Sequence, residues 1–207
     1  MAGLREQQKQ ATRQKVLAAA RDLFDQAGFE ETTIRAIAER AKVSVGSVFT
    51  TFTSKADILS QVILERMDSL HAELEGVVPH LRGSTADRLC SLFGIHYEFQ
   101  MRRSNLYLAY IGASFSPARE RSFVRFGANP VLRAQAKTIL LGGVERGDIP
   151  PGMDLDFVLD TVLALYGFNY LRVSDGAGAP ELTAVIDRQM KLLFDGLTPR
   201  AGVNPSL

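Results

Sequence analysis

The chain is poor in cysteine, tryptophan and histidine. Its 207 residues include one cysteine, three histidines and no tryptophan. A single thiol excludes an intramolecular disulfide framework. Cys90 lies close to Leu89, Leu92 and Phe93 in the sequence, so we predict a buried and unreactive thiol.

Sequence motifs of catalysis are missing as well. The three histidines, His71, His80 and His96, do not follow the His-Glu-x-x-His spacing of a metal site. The chain has no glycine-rich phosphate loop and no Gly-x-Ser-x-Gly turn. We therefore predict no metal, no cofactor and no enzyme activity. An enzyme that uses a C-terminal pocket is kept as a remote alternative.

Long uninterrupted hydrophobic runs are absent too. A membrane-spanning helix needs ~20 consecutive apolar residues, and the longest candidate, Phe157 to Leu171, is interrupted by Asp160, Thr161 and Asn169. The N-terminal residues lack the apolar run of a secretory signal peptide. We expect a cytoplasmic protein with no membrane partner.

Neither sign of charge dominates the chain. The formal net charge is +1, and the first 60 residues carry nine basic and seven acidic side chains. This balance is only weak evidence for a nucleic-acid partner. The hydrophobic fraction of 46% is that of an ordinary globular protein with a core of its own.

What the chain does contain is a succession of helical patterns. Apolar residues recur at helical spacing from about residue 9 to Ala27, from residue 54 to about 74, and in several segments after residue 84. No segment convincingly predicts a strand. We predict an all-α fold with two domains, residues 1–55 and 56–207. The first holds three helices, and about six helices lie behind it.

Residues 32–55 predict two short helices joined by a tight turn. Thr32 or Thr33 can cap the first helix, and Ser44 can cap the second. Val48 and Phe52 lie one turn apart on the second helix and can dock onto the first. These helices indicate a helix-turn-helix at about residues 33–52, with a connecting helix from residue 55.

The second helix of this pair would leave an unusual surface facing outward. A solvated helix face normally carries Lys, Glu and Gln, but here the outward residues are small: Val45, Gly46, Ser47, Thr50 and Thr51. In a DNA major groove, hydroxyls can reach phosphates or base edges, and methyls can contact the thymine methyl group. We also expect Lys55, just past the helix, to contact a phosphate.

This stretch resembles the DNA-binding segment of the TetR family of bacterial transcriptional regulators. The matching residues are Thr33, Ile37-Ala38, Ala41, Val43-Ser44, Gly46, Val48, Phe52 and Ser54-Lys55. Lys42 replaces the usual turn glycine, so the turn either differs in backbone angle or holds a non-glycine residue in a strained region. Phe49 replaces a tyrosine, and Thr50 and Thr51 stand where histidine or an aromatic residue is common.

The resemblance and the residues together give a set of predicted DNA contacts. These are Thr33, Arg35, Lys42, Ser44, Val45, Gly46, Ser47, Phe49, Thr50, Thr51 and Lys55. The resemblance also implies that residues 56–207 bind a small-molecule effector and form a homodimer.

Aromatic and polar residues mix in the later helices, as they do in a ligand pocket. The candidates are Phe93, His96, Tyr97, Gln100, Tyr107, Tyr110, Thr161, Leu165, Phe168 and Asn169. A plain core with satisfied tyrosine hydroxyls is the alternative. Clusters of arginine could hold an anionic effector or could simply be solvated; they are Arg102-Arg103 and Arg119, Arg121 and Arg125.

Apolar stripes on the last two helices indicate either a dimer interface or the subunit's own core. The interface candidates are Val158, Val162, Leu182, Val185, Ile186, Gln189 and Leu193. A two-fold dimer would double the length of DNA that a short helix can read.

We therefore predict a homodimeric transcriptional regulator that binds a palindromic, double-stranded operator. Its most fitting role is a repressor that a small, largely apolar effector releases from DNA. The alternative is a DNA-binding adaptor or nucleoid-type protein that uses the same head without a small ligand.

Overall fold

The structure, a computed structural model, describes residues 2–114 and 129–197. Within these residues the chain forms nine α-helices, two short 3-10 helices and no strand. The α-helices are α1 (Ala2–Glu31), α2 (Ile34–Ala41), α3 (Val45–Thr51), α4 (Lys55–Glu75), α5 (Thr85–Met101), α6 (Ser104–Ser114), α7 (Pro130–Arg146), α8 (Leu155–Phe168) and α9 (Ala179–Leu197). The predicted all-α fold, a three-helix head followed by further helices, is confirmed. One of the segments predicted after residue 84, which begins at Ser116-Pro117, lies outside the described residues.

Contacts divide the described chain into two compact units. The first contains the chain through Leu70 and the segment that begins at Arg103, and the second contains His71–Arg102 and the chain from Asn129 onward. The predicted division after residue 55 concerns function and stays a prediction.

The core of the first unit is built by α1, α2 and α3. Val16, Leu17 and Phe24 of α1 are buried, as are Ile37 of α2 and Val48 of α3. These residues recur on one face of each helix, which is why the three helices can enclose a common core. α1 begins at Ala2, earlier than the predicted start near residue 9.

Local sequence signals fix the helix ends in the second unit. Ser84 and Asp87 form a complete capping box at the start of α5. Asn129 caps α7 in front of Pro130, and Gly147 ends it with φ 82°. One segment predicted after residue 84 runs from Asp154 to about Val173 as a single helix, but the structure divides it, because a 3-10 helix, Asn169–Asp175, follows α8. No helix of the described residues is long and apolar enough to cross a membrane.

Candidate nucleic-acid interface

The two helices of the motif begin at side-chain caps. Thr33 lies at the N-cap of α2, and its hydroxyl accepts a hydrogen bond from the Ala36 N–H at 3.1 Å. Ser44 lies at the N-cap of α3, and its hydroxyl accepts from the Ser47 N–H at 3.0 Å. Each cap satisfies an amide that would otherwise lack an intrahelical partner.

The turn between the helices holds Lys42 in the left-handed region, with φ 56° and ψ 45°. Among the described residues it is the only non-glycine residue with positive φ. Its N–H bonds to the Glu39 carbonyl at 3.1 Å, and the Val43 N–H bonds to the Ala38 carbonyl at 3.0 Å. These two bonds close the C-terminus of α2. The positive φ of Lys42 decides between the two alternatives left open above, because it places a non-glycine residue in a strained region.

α3 is helical although its residues favour other structures. Packing compensates for propensity, because Val48 and Phe52 are fully buried. The threonine hydroxyls bond within the helix: Thr50 donates to the Gly46 carbonyl at 2.8 Å, and Thr51 to the Ser47 carbonyl at 3.1 Å. With their protons engaged, these side chains offer lone pairs and methyl groups to an approaching partner.

The outward surface of α3 is uncharged and holds small residues together with the large Phe49 ring, whereas Ser47 and Thr51 are half-buried. Val45 is 40% exposed and Phe49 54% exposed, while Gly46 and Thr50 are also exposed. A Cβ added at Gly46 would meet nothing nearer than the Ser44 hydroxyl, at 3.8 Å. Internal packing therefore does not require a glycine here, whereas close approach of another surface would.

Basic side chains around the motif fall into two groups. The side chains of Arg35 and Lys42 are exposed and make no hydrogen bond or ion pair with the described residues. Lys55 and Arg13, in contrast, make contacts within the head: Lys55 Nζ donates to backbone carbonyls, and Arg13 donates to Gln61 Oε1 at 2.6 Å. Arg13 also lies over the Phe52 ring, 5.2 Å from its centroid.

Comparison with known proteins agrees with this geometry. Residues 16–62 match the model of the bacterial regulatory proteins of the tetR family. Over 94% of this chain and 99% of the other, the fold matches FadR of Thermus thermophilus, a TetR-family transcriptional repressor solved with lauroyl-CoA, with a TM-score of 0.76 and 27% identity. This chain belongs to the TetR family.

Two further relatives of this TetR-family protein are regulators of the same kind. YdeS of Bacillus subtilis, an uncharacterized helix-turn-helix transcriptional regulator, is 25% identical over 80% of this chain and 81% of its own. The repressor KstR2 of Mycolicibacterium smegmatis is 27% identical over 73% of this chain and 74% of its own. The TetR-family protein is thus a DNA-binding transcriptional regulator.

The effector candidates of this TetR-family protein do not all lie in one unit. Phe93, His96, Tyr97, Gln100 and Asn169 are buried in the second unit. Tyr107 and Tyr110 are buried in the first, where burial raises the pKa of each phenol.

The three remaining candidates lie on α8. Thr161 and Leu165 are half-buried, and Phe168 is 67% exposed at the end of the helix.

Tyr166, which sequence reasoning missed, is central to the polar network of the second unit. Its hydroxyl donates to Gln100 Oε1 at 2.9 Å, and its carbonyl accepts from the Tyr97 hydroxyl at 2.8 Å. Its ring stacks on Phe93 and Tyr97, with centroid distances of 4.8 and 4.9 Å. The signal was available, because Tyr166 lies one turn after the buried Val162.

Buried polar groups surround His96. Its ring centroid lies 5.5 Å from that of His71, and burial, followed by the effect of His71, lowers the pKa of His96 to about 3. The nearby side chain of Gln135 acts in the opposite direction and raises the pKa of His96. However, neither the imidazole of His96 nor the Gln135 amide makes a well-formed hydrogen bond within the described residues. Such buried groups normally have a partner.

The predicted interface residues divide by burial, and four of them need correction. Val158, Val162, Leu182 and Ile186 are at most 4% exposed, so they belong to the subunit's own core, the alternative left open above. Val185, Gln189 and Leu193 are half-buried. Gln189 also bonds to Asn169, whose amide nitrogen lies 2.8 Å from its Oε1.

Large apolar side chains are nevertheless exposed next to these buried positions. They are Phe157 (71% exposed), Phe168 (67%), Leu171 (57%) and Leu192 (77%). Phe157, Phe168 and Leu171 are spaced so that α8 and the 3-10 helix after it present them along one stripe. Exposed apolar groups in such a stripe indicate an interaction surface.

The arginine clusters do not form a common site in the described residues. Arg103 Nε donates to Asp25 Oδ1 at 3.1 Å, whereas Arg102 is exposed. Arg119, Arg121 and Arg125 lie outside the described residues. Within residues 2–114 and 129–197, no group of three His, Cys, Asp or Glu side chains is placed to hold a metal ion.

Proposed function

We propose that this TetR-family protein is a homodimeric repressor that binds a palindromic operator and leaves it when a small, largely apolar effector binds. The observation that carries the proposal is the exposed face of α3, which has no charge and, apart from Phe49, small side chains. A helix face of this kind gains little from water but fits closely into a major groove.

The contacts proposed for DNA divide into base readout and phosphate binding. Val45, Ser47 and Thr50 are the candidates for base edges, since methyl groups suit thymine and hydroxyl lone pairs suit amino groups of cytosine and adenine. Arg35 and Lys42 are the candidates for phosphates, because both are exposed cations flanking α3. The caps Thr33 and Ser44, together with Gly46, Phe49 and Thr51, would line the groove edge.

The dimer is proposed to use the exposed stripe of α8 and the outer face of α9. Phe157, Phe168 and Leu192 are each more than 60% exposed, and their burial against a symmetry mate would remove this apolar area from water. The half-buried Val185 and Leu193 would lie at its margin. A two-fold axis there would present two reading helices to two half-sites.

The effector is proposed to bind in the second unit. Aromatic rings of Phe93, Tyr97 and Tyr166 stack there beside the buried His96 and Gln135. This mixture suits a ligand with an apolar body and one neutral polar group, which could hydrogen-bond to His96 or Gln135. The lauroyl-CoA bound by the FadR relative has an apolar acyl chain and a neutral thioester, joined to the charged coenzyme A group.

The DNA-binding part is tested by selecting fragments from the source genome with purified protein and measuring affinity against salt. We expect a palindromic site, bound by a dimer, whose affinity falls steeply with salt. Thr50→Val keeps size and removes the hydroxyl, so it should change preference between bases by about tenfold. Arg35→Met should weaken binding to all sequences and lower the salt slope by ~0.9 for each protomer, or about 1.8 for the dimer.

Two results would contradict this scheme. If no specific site is enriched, the protein is not an operator-binding repressor. If Thr50→Val and Arg35→Met weaken all sequences equally and with the same change of salt slope, the division between base and phosphate contacts is wrong.

A further inference from the structure

Lys55, the first residue of α4, directs its charge into the head. Its Nζ donates to the carbonyl oxygens of Phe29 at 2.8 Å and Glu30 at 3.1 Å. The same ammonium lies 4.3 Å from the centroid of the Phe29 ring. Two of its three N–H groups and its attraction to an aromatic face are therefore already engaged.

These contacts are favourable for a reason specific to the end of α1. Gly28 breaks the regular helix, with φ 82° and ψ 170°, just before Phe29 and Glu30. The last carbonyls of a helical segment have no intrahelical N–H partners. A lysine ammonium at this point supplies donors to two such carbonyls.

The position of the contact matters for the reading helix. Phe29 and Glu30 lie immediately before α2, where the chain enters the helix-turn-helix, and Lys55 lies where the chain leaves it. Thr32 strengthens the entry, since its hydroxyl donates to the Gly28 carbonyl at 2.7 Å. Lys55 thus joins both ends of the segment that contains α2 and α3.

We propose that Lys55 is a positioning residue that closes the helix-turn-helix unit and that it does not serve as a phosphate contact. The proposal rests on the proposed DNA-binding function and revises one of its predicted contacts. Without the Lys55 ammonium, the carbonyls of Phe29 and Glu30 lose their donor, and α2 and α3 are less firmly held. The exposed Arg35 and Lys42 are then the residues that contact DNA phosphates.

A phosphate contact and a positioning residue have different effects on the affinity for specific and non-specific DNA. Non-specific affinity is almost entirely electrostatic, whereas operator affinity also needs base contacts from a correctly placed helix. Loss of a phosphate contact weakens both and lowers the salt slope by ~0.9. Loss of positioning weakens operator binding alone and leaves the slope unchanged.

The test compares Lys55→Met with Arg35→Met, each of which keeps a long side chain and removes one positive charge. Affinities for the selected operator and for a scrambled duplex are measured against salt, at a temperature where circular dichroism shows each variant to be folded. For Lys55→Met we expect operator affinity about tenfold weaker, with non-specific affinity and salt slope unchanged. For Arg35→Met both affinities and the slope should fall.

Two more variants separate positioning from general stability. Lys55→Arg should restore operator binding, because a guanidinium can donate to both carbonyls and stack on Phe29. Phe29→Leu changes no charge, and it should also weaken operator binding without changing the slope. If Lys55→Met does not fold, these two variants still decide the matter.

Three results have distinct meanings. A slope that falls by ~0.9 for each protomer of the Lys55→Met dimer, with both DNAs bound more weakly, would show a phosphate contact and overturn the proposal. A lower melting temperature with unchanged operator affinity of the folded protein would show a purely structural role, which also overturns it. Failure of the wild type to prefer any operator would instead refute the proposed function.

Discussion

At the scale of single residues, Lys42 combines strain with charge. A non-glycine residue in the left-handed region costs roughly 1–2 kcal/mol, and glycine at a helix C-terminus avoids that cost. The exposed ammonium of Lys42, which has no partner among the described residues, offers a reason for keeping a lysine in this turn.

Two substitutions of Lys42 separate the strain from the charge. Lys42→Gly should raise the free energy of unfolding by about 0.5–1 kcal/mol because it relieves the backbone. It should also weaken DNA binding and lower the salt slope by ~0.9 for each protomer of the dimer. Lys42→Ala should show the same loss on DNA without the gain in stability. Chemical denaturation measures the stability, and titration with operator DNA measures the affinity. Equal stabilities of the Gly and Ala variants would show that the backbone at Lys42 is not strained.

At the scale of the helix, α3 is held by its cap and by two buried side chains. Ser44 accepts from the Ser47 N–H, and the two serine hydroxyls lie 2.8 Å apart. Asp caps a helix about as well as Ser does and adds a favourable charge at the N-terminus, but that charge would repel a DNA phosphate. Stability and DNA binding can therefore be separated at this position.

We expect Ser44→Asp to keep a free energy of unfolding within about 0.5 kcal/mol of the wild type. The same substitution should reduce operator affinity more than about tenfold. Ser44→Asn keeps the cap without the charge and should retain both properties. Ser44→Ala should lower the free energy of unfolding by about 1 kcal/mol. Melting curves and gel-shift titrations measure both properties. Normal operator binding by Ser44→Asp would show that this end of α3 stays away from DNA.

The helices show what the sequence could and could not predict. α3 was predicted correctly because its place after α2, and the spacing of Val48 and Phe52, outweighed poor propensity. The contacts of Lys55 were beyond prediction, since its partner Phe29 lies 26 residues away and its sequence position suits a phosphate equally well. Burial of Val158 and Val162 was missed because an apolar stripe alone does not say which neighbour covers it.

At the scale of the whole molecule, the proposed repression and release form one linked equilibrium. An effector lowers operator affinity only as far as it binds the DNA-free state more tightly, so a tenfold loss on DNA requires about 1.4 kcal/mol of differential affinity. In the proposed scheme, the groups around His96 in the second unit are the site at which the effector distinguishes the two states. This TetR-family protein should then respond to ligands by two independent measures, thermal stability and operator affinity.

Lauroyl-CoA is the first probe, with free CoA and lauric acid as controls. We expect lauroyl-CoA to raise the melting temperature, because a ligand of the native state at about 100 times its Kd adds roughly 2.7 kcal/mol of stability, and to release the operator in parallel. His96→Leu should leave the free protein at least as stable, since it removes a buried polar ring that lacks a well-formed hydrogen bond, and should weaken both responses about tenfold. Unaltered responses in His96→Leu would place the effector elsewhere. A protein that keeps its operator with every ligand tried would favour the adaptor that binds DNA without an effector.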